Sequence, residues 1–154
     1  MKKFLFLFLI LFAHFSLAQT DKINPKTPPT KDIFFKKENT PNAAPTQKIK
    51  QIHSDSINRK PDLYGGNMFF DGNVEFQHNG AVLTANRVVF YQKENFVKAI
   101  GNVVLVTSDG NRITAEEMEY DGETQRGIAR KNVVLTDPKQ TISTDVLYYD
   151  RVKN

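Results

Sequence analysis

The sequence predicts an all-β fold: an open twisted β-jelly roll, or solenoid-like stack of antiparallel strands, built on a repeat of about 30 residues. Three observations carry this. An anchor, Gly72-Asn73-Val74-Glu75-Phe76, returns as Gly101-Asn102-Val103-Val104-Leu105 and as Lys131-Asn132-Val133-Val134-Leu135. A second anchor follows each: Leu83-Thr84-Ala85-Asn86 with Val88 and Phe90, Ile113-Thr114-Ala115-Glu116 with Met118 and Tyr120, and Ile142-Ser143-Thr144-Asp145 with Leu147 and Tyr149. Within the anchors apolar residues alternate at period two, and nothing after Ala18 sustains a 3.6-residue apolar stripe. A fainter copy, Ile52-His53-Ser54-Asp55 with Ile57, precedes them all.

Residues 1–18 read as an export signal. Lys2 and Lys3 give a basic start, Phe4 to Phe12 an unbroken apolar run, and Ser16-Leu17-Ala18 the small residues of a cleavage site, so that Gln19 becomes the first mature residue. The run falls short of the roughly 18 residues a spanning helix needs, and His14 interrupts its flank. No cysteine follows to take a lipid anchor, and with no Cys anywhere the exported chain has no disulfide. Residues 19–48 are rich in Pro, Lys, Thr and Asn and too poor in apolar side chains to offset their ordering entropy, which predicts a flexible leader. Its one apolar spot, Ile33-Phe34-Phe35, reads as an accidental triplet, with a docking peptide for a partner as the alternative.

The folded domain is expected over residues 49–154. In its long strands Met68, Phe70, Gly72, Val74 and Phe76 share one face, as do Val97, Ala99, Gly101, Val103 and Leu105, and then Gly127, Ala129, Lys131, Val133 and Leu135. Glycine in mid-strand marks a bulge or bend. The second anchors switch parity, from Ile113 and Ala115 to Met118 and Tyr120, and likewise in the other copies. That switch predicts one extra residue, or a corner, at Asn86, Glu116, Asp145 and Asp55, whose short polar side chains would cap backbone groups freed there. A carboxylate row can also be a metal or catalytic site, but polar groups in step with a repeat are better read as its caps. His78-Asn79-Gly80, Lys93-Glu94-Asn95, Ser108-Asp109-Gly110-Asn111, Asp121-Gly122-Glu123 and Asp137-Pro138-Lys139 supply the turns between strands.

Charge excludes a class of partner. Removing Lys2 and Lys3 with the signal lowers the net charge from +4 to +2, and no basic cluster with interleaved aromatics suggests nucleic acid. No cofactor motif is present. His53 near the domain start and His78 in a turn have no Cys or activated Ser beside them. Glu117 and Glu119 fall opposite Met118 and Tyr120, on a face where solvated charge is expected, so the chain reads as a non-enzyme.

The repeated Gly-Asn-Val strands, with Ile113-Thr114-Ala115-Glu116, Tyr120-Asp121 and Tyr149-Asp150, resemble the OstA-like domain family of lipopolysaccharide transport, over about Ile49 to Asn154. The resemblance implies a V-shaped β-jelly roll in the periplasm, associated with the outer membrane, that shields acyl chains in an apolar trough and joins neighbouring modules edge to edge. Lipopolysaccharide, through its lipid A acyl chains, and other jelly-roll components of the bridge or translocon are then the expected partners. The trough candidates are Val74, Phe76, Val88, Phe90, Val103, Leu105, Met118, Tyr120, Val133, Leu135, Leu147 and Tyr149, whose alternative is a closed, filled core. After its third full copy the sequence lacks the next long strand. Either the chain is a piece of a longer protein, or its last strand is an edge that a partner or a second copy covers. A rival function is an envelope scaffold or polysaccharide-binding solenoid, with Tyr64, Tyr91, Tyr148 and Tyr149 as a sugar platform.

Overall fold

The computed structural model describes residue 35 and residues 47–151; the expected export signal, the rest of the expected leader before Gln47 and residues 152–154 lie outside the described residues. Alternating apolar residues punctuated by turns give eight strands: β1 (Lys50–His53), β2 (Ser56–Arg59), β3 (Met68–His78), β4 (Ala81–Tyr91), β5 (Phe96–Val106), β6 (Arg112–Asp121), β7 (Arg126–Thr136) and β8 (Thr141–Asp150). They form one antiparallel sheet in the order β1-β3-β4-β5-β6-β7-β8, with β2 also on β3. β1 and β2 thus act as one strand interrupted at Ser54 and Asp55. Among the described residues the helical turns are 3-10, as at Tyr64–Gly66, and none is an α-helix.

The turns follow their residue chemistry. Asn79 and Gly80 link β3 to β4 with φ of 50° and 79°, the two positive values that a tight hairpin matched to strand twist demands. At the opposite end Asn95, fully buried, holds the point where the chain enters the sheet. Its Oδ1 accepts from the Ile49 N–H at 2.8 Å, while its Nδ2 donates to the Gln47 carbonyl at 3.2 Å.

A bulge recurs where the sequence switches parity, but the extra residue sits on the other strand from the one expected. Gly72-Asn73 of β3 face Asn86 alone, Gly101-Asn102 of β5 face Glu116, and Lys131-Asn132 of β7 face Asp145. All six paired residues have positive φ, from 45° to 77°. Two left-handed residues in succession turn β3, β5 and β7 sharply and keep their parity, so the single residue opposite must take up the step and parity flips in β4, β6 and β8. Alternation reports the flip and not the strand that carries the insertion.

The bulges fold the sheet over into two layers. Phe70 and Phe76, on either side of the first bulge, meet edge to face at 5.2 Å. At one rim His78 of β3 reaches across to Tyr120 of β6, with Nδ1 2.8 Å from the phenol oxygen. Close to this clasp, Arg151, just after β8, donates to the Ser108 hydroxyl at 2.7 Å. The main apolar core lies between the layers, and a smaller cluster of Phe69, Val89, Tyr91, Phe96 and Ile128 covers part of the outer face. Phe35, from the expected accidental triplet, is buried in this second cluster with its ring edge-on to Phe96 at 5.5 Å; Ile33 and Phe34 lie outside the described residues.

Candidate functional site

The twelve residues singled out for the trough all lie on the inner face. Ten are buried in the main core, and Leu135 and Leu147 pack against it half-buried. Register explains why they converge: Phe76 opposes Leu83, Leu83 opposes Leu105, Leu105 opposes Ile113, and Ile113 opposes Leu135. Residues directly opposite on paired strands share a face, so this row is one continuous apolar stripe across the strands.

In the middle the two layers touch. Phe76 packs against both Phe70 and Phe90, the latter at 5.4 Å, and the gap lined by Ile49, Leu83, Leu105 and Tyr120 has a volume of about 10 Å3. That holds a water molecule at most. Toward the sheet edges the inner face opens. Ile142, opposite Leu135, is 41% exposed at the β8 edge, and Ile57, opposite Phe70, is 60% exposed at the β2 edge. The inner face is therefore a filled core at its centre and an uncovered apolar surface at both flanks.

Charge is arranged on the outer face. Lys98 and Arg130 donate to Glu119 at 3.0 and 3.2 Å, and Lys131 to Glu117 at 2.6 Å. Both glutamates are only 18% exposed, so the expected solvated charges are in fact half-covered members of cross-strand ion pairs. Arg87 donates to Asp71, and this bond raises its pKa above the ordinary arginine value. Among the described residues no group of three or more His, Asp or Glu is placed to hold a metal ion.

The histidine expected in a turn ends a strand instead. His78 is buried, and its Nε2 lies 2.9 Å from the Gln47 carbonyl oxygen, which only accepts, so Nε2 carries the proton and Nδ1 accepts from the Tyr120 hydroxyl. Burial pushes the His78 pKa below 6.5 and the Tyr120 pKa well above its ordinary value. The pair is a neutral hydrogen-bonded clasp between the layers. The four tyrosines considered as a sugar platform do not share one exposed face: Tyr149 is on the inner face, Tyr91 is buried in the outer cluster with Tyr64 packed against that cluster, and Tyr148 lies exposed on the outer face opposite Ile128.

Three of the four residues placed at the parity switch cap the bulges, though their partners are side chains and not backbone N–H groups. Asp55 accepts from Asn73 Nδ2 at 3.0 Å, Asn86 from Asn102 Nδ2 at 3.4 Å, and Glu116 from Asn132 Nδ2. Sequence reading missed the donors. Their signal was the recurring place of Asn within each first anchor, since asparagine tolerates the left-handed region better than other side-chain-bearing residues.

A family model described as OstA-like protein matches residues 46–154, which spans every strand of the sheet. The chain belongs to the OstA-like family. An 82-residue stretch of this OstA-like chain is 32% identical to the LPS-assembly protein LptD of Polaromonas sp. (strain JS666 / ATCC BAA-500), covering 53% of this chain and 10% of that protein. The chain thus spans about a tenth of the curated relative it matches. Among solved structures, LptH of Pseudomonas aeruginosa, titled as the LptA-homologous periplasmic component of a lipopolysaccharide transport device, superposes with a TM-score of 0.58 over 68% of this chain and 76% of its own. At 18% identity that likeness shows the fold: the folded sheet is the jelly roll of this OstA-like structure.

Proposed function

We propose that this OstA-like protein is a non-enzymatic periplasmic module of lipopolysaccharide transport, which shields acyl chains on its inner face and passes them to neighbouring modules joined at its sheet edges. The observation that carries the reading is the apolar stripe running from β3 to β8 and out to uncovered flanks at Ile57 and Ile142. An ordinary core would close over its own edges. Membership of the family, and the names of the relatives, support the choice of cargo. Burying one acyl chain of about a dozen carbons is worth on the order of 8 to 10 kcal/mol, at about 0.8 kcal/mol per methylene. That is enough for capture without any catalytic group. Because the layers touch at the centre, a chain enters by parting them from a flank.

Photocrosslinking in cells tests this, with the photoreactive residue at Ile142, Leu135 or Leu105 on the inner face and at Arg112, exposed on the outer face, as control. Lipopolysaccharide adducts are expected from the inner positions, strongest at Ile142, and not from Arg112. Adducts nowhere, or equally at Arg112, in a folded and exported protein would refute the reading. Leu105→Asp is a poor test, since Leu105 is 2% exposed and a carboxylate there would unfold the core.

A further inference from the structure

Gln47, Lys48 and Ile49, just before β1, lie outside the strand ladder, yet Ile49 is 5% exposed and belongs to the main core. Side chains from both layers hold these three residues. By register, His78 ends β3 in the layer made of the strand halves beside the β3–β4 turn, while Asn95 and Glu123, in the β4–β5 and β6–β7 turns, belong to the other layer. The Gln47 carbonyl accepts from both, from His78 Nε2 at 2.9 Å and from Asn95 Nδ2 at 3.2 Å. The Ile49 N–H donates to Asn95 Oδ1 at 2.8 Å, and Lys48 Nζ pairs with Glu123 at 2.7 Å. Three consecutive residues thus bridge the layers on the side of the fold opposite the bulge row. Beneath this bridge the Ile49 side chain lines the gap of about 10 Å3 that it shares with Phe76, Leu83, Leu105 and Tyr120. The centre of the inner face is closed there.

The fastening can release without loss elsewhere. No ladder pairing holds the segment, so lifting it breaks no strand contact. The groups it would leave keep other partners, since Asn95 Nδ2 also donates to Glu123 Oε1 at 3.1 Å and His78 Nδ1 still accepts from Tyr120 at 2.8 Å. Buried polar groups that retain a partner escape most of the cost of an unsatisfied one. Gly122 makes room for the closed position, because a Cβ there would lie 2.9 Å from Ile49 Cγ1 and 2.5 Å from Asn95 Nδ2. Its φ is outside the left-handed region, so what glycine supplies at 122 is space.

We propose that Gln47–Ile49 is a gate strap for the acyl chains of the cargo: closed, it bars the centre of the inner face, and it lifts, withdrawing Ile49, when a chain passes from a flank into the centre. This rests on the reading that the inner face carries acyl chains. A chain that replaces Ile49 regains the same apolar contacts with Phe76 and Leu105. Entry at a flank leaves the strap in place, and only passage through the centre needs it open.

The test uses the purified mature chain and purified lipopolysaccharide, with a photoreactive residue at Leu105 for the centre and, in a second protein, at Ile142 for the flank. Gly122→Ala wedges the strap open and should raise the Leu105 adduct yield relative to Ile142 about tenfold, the factor that one lost hydrogen bond is worth. Carbodiimide locks the strap, joining Lys48 Nζ to the Glu123 carboxyl as an amide and taking up the water released, and should lower the ratio by a similar factor. Lys48→Arg offers no amine at the strap, so the same treatment should not lower its ratio, each protein being read against its own untreated sample. If a variant fails to fold, hydrogen exchange in the unaltered chain decides: lipopolysaccharide should speed exchange of the Ile49 amide while it slows amides of β5 and β6. A ratio unmoved by wedge and lock, an equal fall in Lys48→Arg, or an Ile49 amide that slows with the strands would overturn the strap and leave the lipid-carrying face standing. No adducts at either position and no change in exchange would overturn that face and the strap together.

Discussion

Gly101→Ala on β5 measures how tightly the bulges are built. Gly101 has φ +77°, and an added Cβ would lie 2.9 Å from Asn86 Nδ2 and 3.3 Å from Asn86 Cβ. Placing a side-chain-bearing residue in the left-handed region costs roughly 1–2 kcal/mol. A less flexible unfolded chain returns about 0.4–1 kcal/mol of that. Asn86 must also swing aside, breaking its exposed 3.4 Å bond from Asn102, which at that length is worth about 0.5 kcal/mol. The net is a loss of about 1–2 kcal/mol. Gly110→Ala is the reference, because Gly110 has φ +89° but an added Cβ there would meet nothing within 4 Å, so only the backbone cost applies and the loss should be about 0.5–1 kcal/mol. Urea unfolding at constant m-value measures both, and repeating Gly101→Ala in an Asn86→Ala background should bring its cost down to that of Gly110→Ala. Equal costs of Gly101→Ala with and without Asn86 would refute the claim that the cap packs against the glycine.

Phe76→Ala should lower stability by about 3–5 kcal/mol, since a buried ring in contact with Phe70 and Phe90 leaves a cavity between the layers; a loss under about 1 kcal/mol in urea unfolding would mean that the layers collapse to fill it. Burial depresses the His78 pKa, so between its folded value and 6.5 the unfolded state binds the extra proton. Stability is then full above pH 6.5 and falls as the pH drops from there through the folded value, and His78→Gln should flatten that window; an unchanged pH profile in the variant would exclude His78 as its source. Phe35→Ala should cost about 1.5–3 kcal/mol by uncovering Phe96 and Ile128, and an unaltered unfolding midpoint would show that its docking adds nothing. Amides of residues 141–146 in β8 should exchange fastest among the long strands and slow when lipopolysaccharide is added, whereas protection confined to β3 and β4 would place the entry at the other flank.

The fold was legible because period-two alternation, Asn-Gly and similar turns, and a repeated break in parity all report on one sheet. The twelve inner residues were also legible, since a parity flip repeated at the same place in each second anchor keeps Leu83, Val88, Ile113, Met118 and Tyr149 on one face despite the odd spacing. Which strand carried the extra residue was legible only in part, because mid-strand Gly72 and Gly101 mark a bulge or bend while the parity flip points to the strand opposite. Composition points to the polar residue at the flip, Asn86 or Glu116, whereas backbone sterics put the insertion at the Gly-Asn pair opposite. Long-range pairs were hidden for a different reason. His78 and Tyr120 lie 42 residues apart, and Phe35 lies in a segment whose average polarity masks a single ring with a specific place to dock. Neither depends on local pattern, so a periodicity argument has nothing to detect.

A filled centre and the proposed cargo-bearing face are compatible in this architecture because the bulge row is a line of flexure. Each strand of β3 to β8 crosses from one layer to the other through residues with no regular ladder bonds, Gly72-Asn73 opposite Asn86 being the pattern, so parting the layers needs little change within either. What resists parting is the contact between apolar side chains, and an acyl chain replaces those contacts methylene for side-chain carbon as it enters. The opposing force is therefore smallest where side chains are already uncovered. Exposure rises along β8 from Tyr149, 6%, to Ile142, 41%, while the His78–Tyr120 clasp holds the β3 rim shut. Opening from the β8 flank leaves the clasp and the Phe70–Phe76–Phe90 stack in place and breaks only the exposed Arg151–Ser108 hydrogen bond among the contacts described above.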